Sequence, residues 1–402
     1  MSSQKTKLTR DIKLLLVFSA MRNVTDLFLG TFLISFIMHI SPSQIVSVGM
    51  YRLFEYVALI VGYLAIANLC KRHNKTFVFA LNEIPKIALL VALVLLGDNA
   101  VEYIIPLGLL YGFGEAMYHL PMSTMVSEKT NDQSLKLYMG FKTAINYTVR
   151  LVVPVVLGFF IDTGSFAQVA NVLLVLSIIE LVLCCFLSPS RHRSKKPVDI
   201  VGFMRCMMRF PVIRHMAVME IFRGFSMGIL ATVITMYTVF MFKTDLNLGI
   251  LTTVFSLFSI TSSWLLGRYV HIRNYTHVLK VCLFMIICGM TLFIYQTNPI
   301  TFLLYNFIYA TAVVLLDQIC TFNMYRLSNS KCVTSNHRVE YLVFREYVLF
   351  LGRWVSCVTL LYIGVFGGYA WLRWYLVLIM LALIVCGASA INMLRTHRNQ
   401  NS

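Results

Sequence analysis

The sequence predicts an all-α, multi-pass membrane protein with twelve transmembrane helices in two six-helix pseudo-repeats. Composition is the first reason. Hydrophobic residues make up 58% of the 402 residues and charged residues only 13%, with a mean hydropathy of +0.77. Soluble domains carry about 25% charged residues, so a water-exposed surface cannot be built from this chain. The second reason is length. Crossing ~30 Å of hydrocarbon takes ~20 apolar residues in a helix, which satisfies its own backbone hydrogen bonds, and twelve segments reach that length. The third is an internal echo. Tyr138, Phe141, Lys142 and Arg150 recur 203 residues later as Tyr341, Phe344, Arg345 and Arg353. Arg22 is answered by Arg223, and Asn74, Thr76 and Val78 by Asn274, Thr276 and Val278. A period of half the chain marks an internal duplication.

The N-terminal half, 1–188, holds the first six helices. α1 (12–38) follows the basic cluster Lys5, Lys7, Arg10 and Lys13 and carries Arg22 and Asp26. Its apolar run is about twice the 7–15 residues of a signal core and lacks a small-residue cleavage site, so it is expected to stay uncleaved. After a loop around Pro42, α2 (43–69) carries Arg52 and Glu55 and is closed by Lys71, Arg72 and Lys75. α3 (76–96) carries Glu83 and Lys86; both these pairs have the i,i+3 spacing of local ion pairs. α4 (101–125) carries Glu115 and His119 one turn apart and is closed by Lys129 and Lys136. α5 (137–161) carries Lys142, Arg150, Pro154 and Gly158, and α6 (167–188) ends before Arg191, Arg193, Lys195 and Lys196.

Residues 189–211 read as the linker between halves. Its basic run is followed by an amphipathic stretch around Val201, Met204, Met207 and Met208, suited to lie along the inner membrane surface. The C-terminal half, 212–402, begins with α7 (212–240), which carries Glu220 and Arg223. α8 (246–267) is closed by Arg268 and Arg273, and α9 (277–295) has no acidic or basic residue in its apolar span beyond Lys280. α10 (299–325) carries Asp317 and is followed by Arg326, Lys331 and Arg338. α11 (340–365) carries Arg345 and Arg353, and α12 (370–393) precedes Arg395 and Arg398.

A net charge of +17 would suit nucleic acid if the basic residues formed one surface. They fall instead on alternate loops, while the loops around Pro42, Asp98, Asp162 and Pro299 hold no Lys or Arg. Lys243 and Arg373 are the two exceptions. The positive-inside rule then places both termini in the cytoplasm, as an even helix count also requires. The charge is thereby topology, and no nucleic-acid partner is expected. The ten cysteines are scattered, mostly within helices, without metal spacing. No metal or other cofactor is expected. The chain has no Walker loop, nucleophile elbow or zinc motif, so no enzyme is expected.

Six plus six helices, inward termini and a basic central linker resemble the major facilitator superfamily over nearly the whole chain. Gly62 begins a run ending in Lys71, Arg72, His73, Asn74 and Lys75 that is similar to the family's motif between helices 2 and 3, without its Asp. Gly267, Arg268, Arg273 and Asn274 form a fainter second copy. Pro154, Gly158 and Asp162 resemble the Gly/Pro-rich helix 5 motif associated with exporters, with Val153 where the preceding Gly is expected. The resemblance implies that α1, α4, α7 and α10 line a central cavity. It also implies secondary transport by alternating access; the protein is expected to work as a monomer in the cytoplasmic membrane of a bacterium.

The chemistry should lie in the ionisable groups kept inside the membrane, each costing from ~2.5 kcal/mol at a helix centre. Arg22 and Arg223 each lie about 15 Å into their helices at 1.5 Å per residue, near the midplane. Such forked donors suit a phosphate or carboxylate, and one Arg on each of helices 1 and 7 resembles the organic-phosphate antiporters of the family. The other reading is internal neutralisation, by Asp26 four residues after Arg22 and Glu220 three before Arg223. Both readings stand on the sequence. Arg150 and Arg353 add positive charge for substrate or serve as gates. Lys142 and Arg345 read as gating or snorkelling groups, the gates pairing with acids of the opposite half; Lys71, Arg72 and Arg273 complete the gating set. Glu115 is the first candidate for a coupling proton, because burial disfavours its charge and a nearby Arg restores it, so that substrate arrival is coupled to proton loss. Asp26, Glu220 and Asp317 follow. Tyr111, Tyr118, Tyr147 and Tyr309 read as packing.

The function expected is therefore secondary active transport of a small anionic or zwitterionic solute. Multidrug or amphiphile export is one alternative, favoured by the Met- and Phe-rich helices. The other is a sensor or immunity protein that kept the fold and lost transport.

Overall fold

The computed structural model describes residues 9–72, 74–129, 132–189, 200–328 and 338–399. Eleven helices among them are long and apolar enough to cross a membrane. One of these, Lys75–Val126, runs for 52 residues. At ~1.5 Å per residue that is more than twice the ~30 Å core, and it contains two predicted helices. Gly97 adopts φ 51°, which glycine tolerates and a side chain resists. It ends α3, and a 3-10 segment, Gly97–Tyr103, leads into α4. The twelve predicted passes are thus all present.

α1 is Arg10–Leu27, a π-helical turn Phe28–Phe32, and Leu33–Ile40. α2 is Gln44–Arg72, α4 is Ile104–Lys129, α5 is Asp132–Thr163 and α6 is Phe166–Cys184. α3 is split into Lys75–Leu81 and Glu83–Leu96, because Pro85 has no N–H to donate to the carbonyl four residues back. The predicted linker lies partly outside the described residues, at 190–199; beyond it a short helix, Ile200–Met207, occupies the amphipathic stretch. α7 is Pro211–Phe242, α8 Asp245–Tyr269, α9 Tyr275–Tyr295, α11 Arg338–Phe366 and α12 Gly368–Asn399. α10 is Pro299–Ile308, a second π turn Tyr309–Val313, and Val314–Ser328.

Side-chain caps start several of these helices. Thr9 accepts from the Ile12 N–H, Asn74 from Thr76 and Ser165 from Gln168, while Asn298 and Thr301 form a reciprocal capping box behind Pro299. Asn74 and Asn274, members of the internal echo, both sit at the N-cap of their helix, α3 and α9. The repeat therefore preserves helix starts.

The chain divides into two compact units. The first comprises Met1–Pro197 and Phe242–Thr253. In it α2 packs along α4, α3 on α6 and α1 on α5. The approach of α4 to α2 is close enough that a Cβ at Gly112 would overlap the carbonyl oxygen of Glu55; small residues let membrane helices meet at backbone distance. Ile12, Phe18, Phe79, Met122, Tyr138 and Leu187 belong to a buried apolar cluster at one end of this unit. Beside it, Lys129 reaches Asp11 at 2.6 Å and the Ser188 carbonyl at 3.0 Å, and Thr76 donates to the same carbonyl. The second unit comprises Val198–Met241 and Val254–Ser402. In it α9 packs on α12 and α10, and α11 on α12. Tyr341, the echo of Tyr138, is fully buried and donates to the Met324 carbonyl at 3.2 Å.

Candidate functional site

In the first unit Arg22 is buried, and each nitrogen of its guanidinium has a polar side chain beside it. Asp26, one turn on, lies 2.7 Å from Nε, and Glu115 of α4 pairs with Nη2. Asn82, at the break in α3, accepts from Nη1 at 3.3 Å. The Tyr118 ring centroid lies 4.8 Å from the guanidinium carbon, in cation–π range. The second oxygen of Glu115 is 2.9 Å from Nε2 of His119, whose side chain is 50% exposed. The group thus runs from an accessible imidazole to a buried guanidinium.

It continues through Asn82, whose amide donates to Glu83 at 2.6 Å. Lys86 lies 2.5 Å from Glu83 and also pairs with Glu180 of α6. Farther along α1, Arg52 of α2 pairs with Glu55 at 2.6 Å and donates to the Gly30 carbonyl at 2.8 Å. Gly30 lies in the π turn, where the displaced backbone ladder leaves a carbonyl open to a side-chain donor.

The second unit repeats the pattern. Arg223 is buried, with Glu220 at 3.2 Å on its own helix and Asp317 of α10 at 2.7 Å. Thr321 accepts from Nη2 at 2.7 Å. Glu220, wholly buried, is also 3.6 Å from Arg345 of α11, which in turn holds Glu346 at 2.7 Å. Glu115 and Asp317, 202 residues apart in the sequence, answer each other as Arg22 and Arg223 do. Each half therefore carries one arginine held by an acid on its own helix and an acid on the fourth helix of that half.

The predicted residues separate into those gathered here and those elsewhere. Arg22, Asp26, Glu115 and His119 come together, as do Arg223, Glu220, Asp317 and Arg345. The partners seen for Arg345 lie in its own half, whereas its sequence reading as a gate expected acids of the opposite half; α7 and α11 bring Glu220 within reach first. Arg353 is half-buried and packs along Gly228 of α7. Arg150 is exposed and Lys142 half-buried on α5, and Arg273 is exposed in a 3-10 turn before α9. Lys71 and Arg72 end α2, and their side chains lie outside the described residues. The local pairs Arg52–Glu55 and Glu83–Lys86 both form. Tyr111 and Tyr118 are buried.

Sequence reasoning missed Glu180 and Asn82. The signal for Glu180 was present: it is a single carboxylate in a span of mean hydropathy 2.2, Phe166–Cys184, with no basic residue on its own helix. Such a group must find a base on another helix. Asn82 carried no comparable signal, because its role depends on the break that Pro85 makes.

The Major Facilitator Superfamily profile matches residues 14–330. The chain belongs to the Major Facilitator Superfamily. Membership makes it a multi-pass membrane transporter. A relative from Bacillus subtilis (strain 168), "Uncharacterized protein YqgE", is 20% identical over 325 residues, covering 80% of this chain and 75% of the relative. Solved structures share the fold. A bacterial homologue of the iron transporter ferroportin in the inward-facing state aligns with a TM-score of 0.71 and 11% identity, over 97% of this chain and 100% of that one. In its outward-facing state with soaked iron, a bacterial ferroportin homologue gives 0.64 and 12%, over 96% and 99%. The human organic anion transporter MFSD10 (TETRAN) gives 0.62 and 11%, over 94% and 99%.

Proposed function

We propose that this superfamily member is a secondary active transporter that works by alternating access on a small anionic or zwitterionic solute, coupled to protons. Arg22 and Arg223 are its solute-binding groups, with Arg150 and Arg353 as supplementary positive charge and Lys142 and Arg345 as groups that rearrange during the cycle. The halves are taken as 1–188 and 212–402, joined by 189–211. The protein acts as a monomer in a bacterial cytoplasmic membrane with both termini inside, and no catalytic step is involved.

One observation carries this reading. Arg22 is shared by Asp26 and Glu115, and Glu115 also touches the half-exposed His119. An anion and Glu115 compete for the same guanidinium. A proton on Glu115 removes one competitor and frees donors on Arg22, so anion binding favours proton uptake. The sign expected from the sequence is the opposite, proton loss on substrate arrival, which requires substrate to bring an arginine to Glu115; here Arg22 already pairs with Glu115. His119, reachable from outside the cluster, is positioned to relay the proton. Arg223, Glu220 and Asp317 offer the same competition in the second half. The anion preference rests on these arginines and not on the name of any structural neighbour.

The test is thermal stabilisation of purified protein by inorganic phosphate, succinate and glutamate, against tetraphenylphosphonium as a lipophilic cation. A ligand at 100 times its Kd adds ~2.7 kcal/mol to apparent stability. At least one anion should raise the melting temperature, more strongly as pH falls, because binding takes up a proton. Arg22→Lys should lose the shift, since charge-assisted hydrogen bonds of the fork are worth about 1.5–3 kcal/mol. Stabilisation by tetraphenylphosphonium alone would replace anion transport with amphiphile export.

A further inference from the structure

We infer that Glu83, Lys86 and Glu180 form a second, fully buried proton-binding site, on the α3–α6 contact of the first unit and linked through Asn82 to Arg22. The inference starts from charge balance. The connected network holds four carboxylates, Asp26, Glu83, Glu115 and Glu180, against two permanent bases, Arg22 and Lys86. Fully ionised, it would carry two surplus negative charges inside the membrane, which a low-dielectric site does not tolerate.

The surplus divides unequally. Around Arg22, His119 can supply a further positive charge beside Glu115, and its side chain is accessible. The triad has no such reserve. Among the described residues Lys86 is the single base in contact with Glu83 and Glu180, and the three side chains are 1–2% exposed. The other titratable groups within electrostatic reach are Cys184 on α6, Tyr118 on α4 and Arg22 on α1. None adds a base to the pair, since Arg22 is already shared by two carboxylates.

The hydrogen bonds say where the proton sits. Glu83 accepts from Asn82 at 2.6 Å and meets Lys86 at 2.5 Å. Glu180 meets Lys86 through Oε2, while its Oε1 is buried without a hydrogen-bond partner among the described residues. One turn earlier on α6, the fully buried Ser177 Oγ is likewise unpartnered. A buried, unsolvated carboxylate oxygen is the place where a proton is held most firmly. Glu180 is therefore the protonated member, with Glu83 and Lys86 as its ion pair. Because Asn82 joins Glu83 to Arg22, a change in what Arg22 holds alters the field at the triad. That place in the transport cycle rests on the proton-coupled reading above, whereas the proton site does not.

Infrared spectroscopy of the purified protein tests it without any transported solute, so its failure is distinct from failure of coupled transport. The carbonyl band of a protonated carboxyl should be present at neutral pH, lost in Glu180→Gln and retained in Glu115→Gln. Glu180→Gln leaves Lys86 paired with Glu83, and Glu83→Gln leaves it paired with Glu180, so neither variant strands a charge. Absence of the band in the wild type, or its persistence in both Glu180→Gln and Glu83→Gln, overturns the site. A band that appears only when sodium is withdrawn assigns the surplus charge to a sodium ion and overturns it equally. If the band behaves as expected while the wild type moves no protons in proteoliposomes, the site stands and the coupled-transport reading falls.

Discussion

Glu220 and Asp317 both neutralise Arg223, yet their surroundings make them unequal. The Glu220 side chain is 0% exposed and lies between Arg223 and Arg345, while that of Asp317 is 42% exposed. Removing one partner of a buried pair leaves an uncompensated charge and costs ~3–5 kcal/mol. Glu220→Ala is therefore expected to lower the amount of folded, inserted protein sharply. Asp317→Asn leaves Arg223 with Glu220 and should cost about 0–1 kcal/mol, visible as a small change in melting temperature. Equal losses for the two variants would contradict this assignment of roles. At this scale the sequence made half of each cluster legible. Asp26 and Glu220 follow from three- and four-residue spacing on one helix. Glu115, Asp317 and Asn82 join the arginines only through the register between helices, which no local spacing encodes.

The helices carry similar distinctions. The face of α5 that resembles the exporter motif has a visible use: Pro154, Gly158 and Asp162, four residues apart, meet the start of α8 within the first unit. The Asp162 carboxylate accepts from the backbone N–H groups of Asp245 and Leu246 at 3.1 and 2.9 Å, and Ser35 donates to the Asp245 carboxylate at 2.6 Å. Asp162 thereby satisfies donors that a helix start leaves unpaired. A Cβ at Gly158 would run into the Asp245 carbonyl. Asp162→Ala should cost about 1 kcal/mol, the usual loss of a cap. Gly158→Val should cost more, because two backbones must separate to admit it, and melting temperatures in detergent rank the two. If Gly158→Val is the milder, the close approach is not a constraint on stability. Hydropathy located α5 and α8 but not the contact, and nothing in it announced the π turn that frees the Gly30 carbonyl for Arg52.

For the whole molecule, hydropathy and the half-length echo recovered the class and the twelve passes, because lipid imposes one solution on every segment long enough to span it. They also predict which loops face the cytoplasm. In the first unit the two ends differ in chemistry. Asp11 at the start of α1, Lys129 at the end of α4 and Ser188 beyond α6 are bound together at one end. These termini fall on the same side if each helix crosses once, and they adjoin the basic segments predicted to face the cytoplasm. Asp98, between α3 and α4, and Thr163, at the end of α5, fall on the other side by the same alternation, and both are exposed. In the second half Arg268 in the last turn of α8 and Asn274 just before α9 are exposed as well, and Arg268 and Arg273 carry the positive bias that retains a loop inside. Single cysteines at Arg268 and Asn274, in a background whose ten native cysteines are all replaced by serine, should react with a membrane-impermeant maleimide only after the cells are opened. Cysteines at Asp98 and Thr163 should react in intact cells. The reverse pattern would invert the orientation, place the termini outside and remove the positive-inside argument for this chain. A mixed pattern, with Asp98 and Asn274 labelled from the same side, would mean that one of the twelve segments does not cross. That segment would lie among α4 to α8, the five between the two positions, of which α4 shares the 52-residue run Lys75–Val126 with its predecessor and is set apart from it at Gly97.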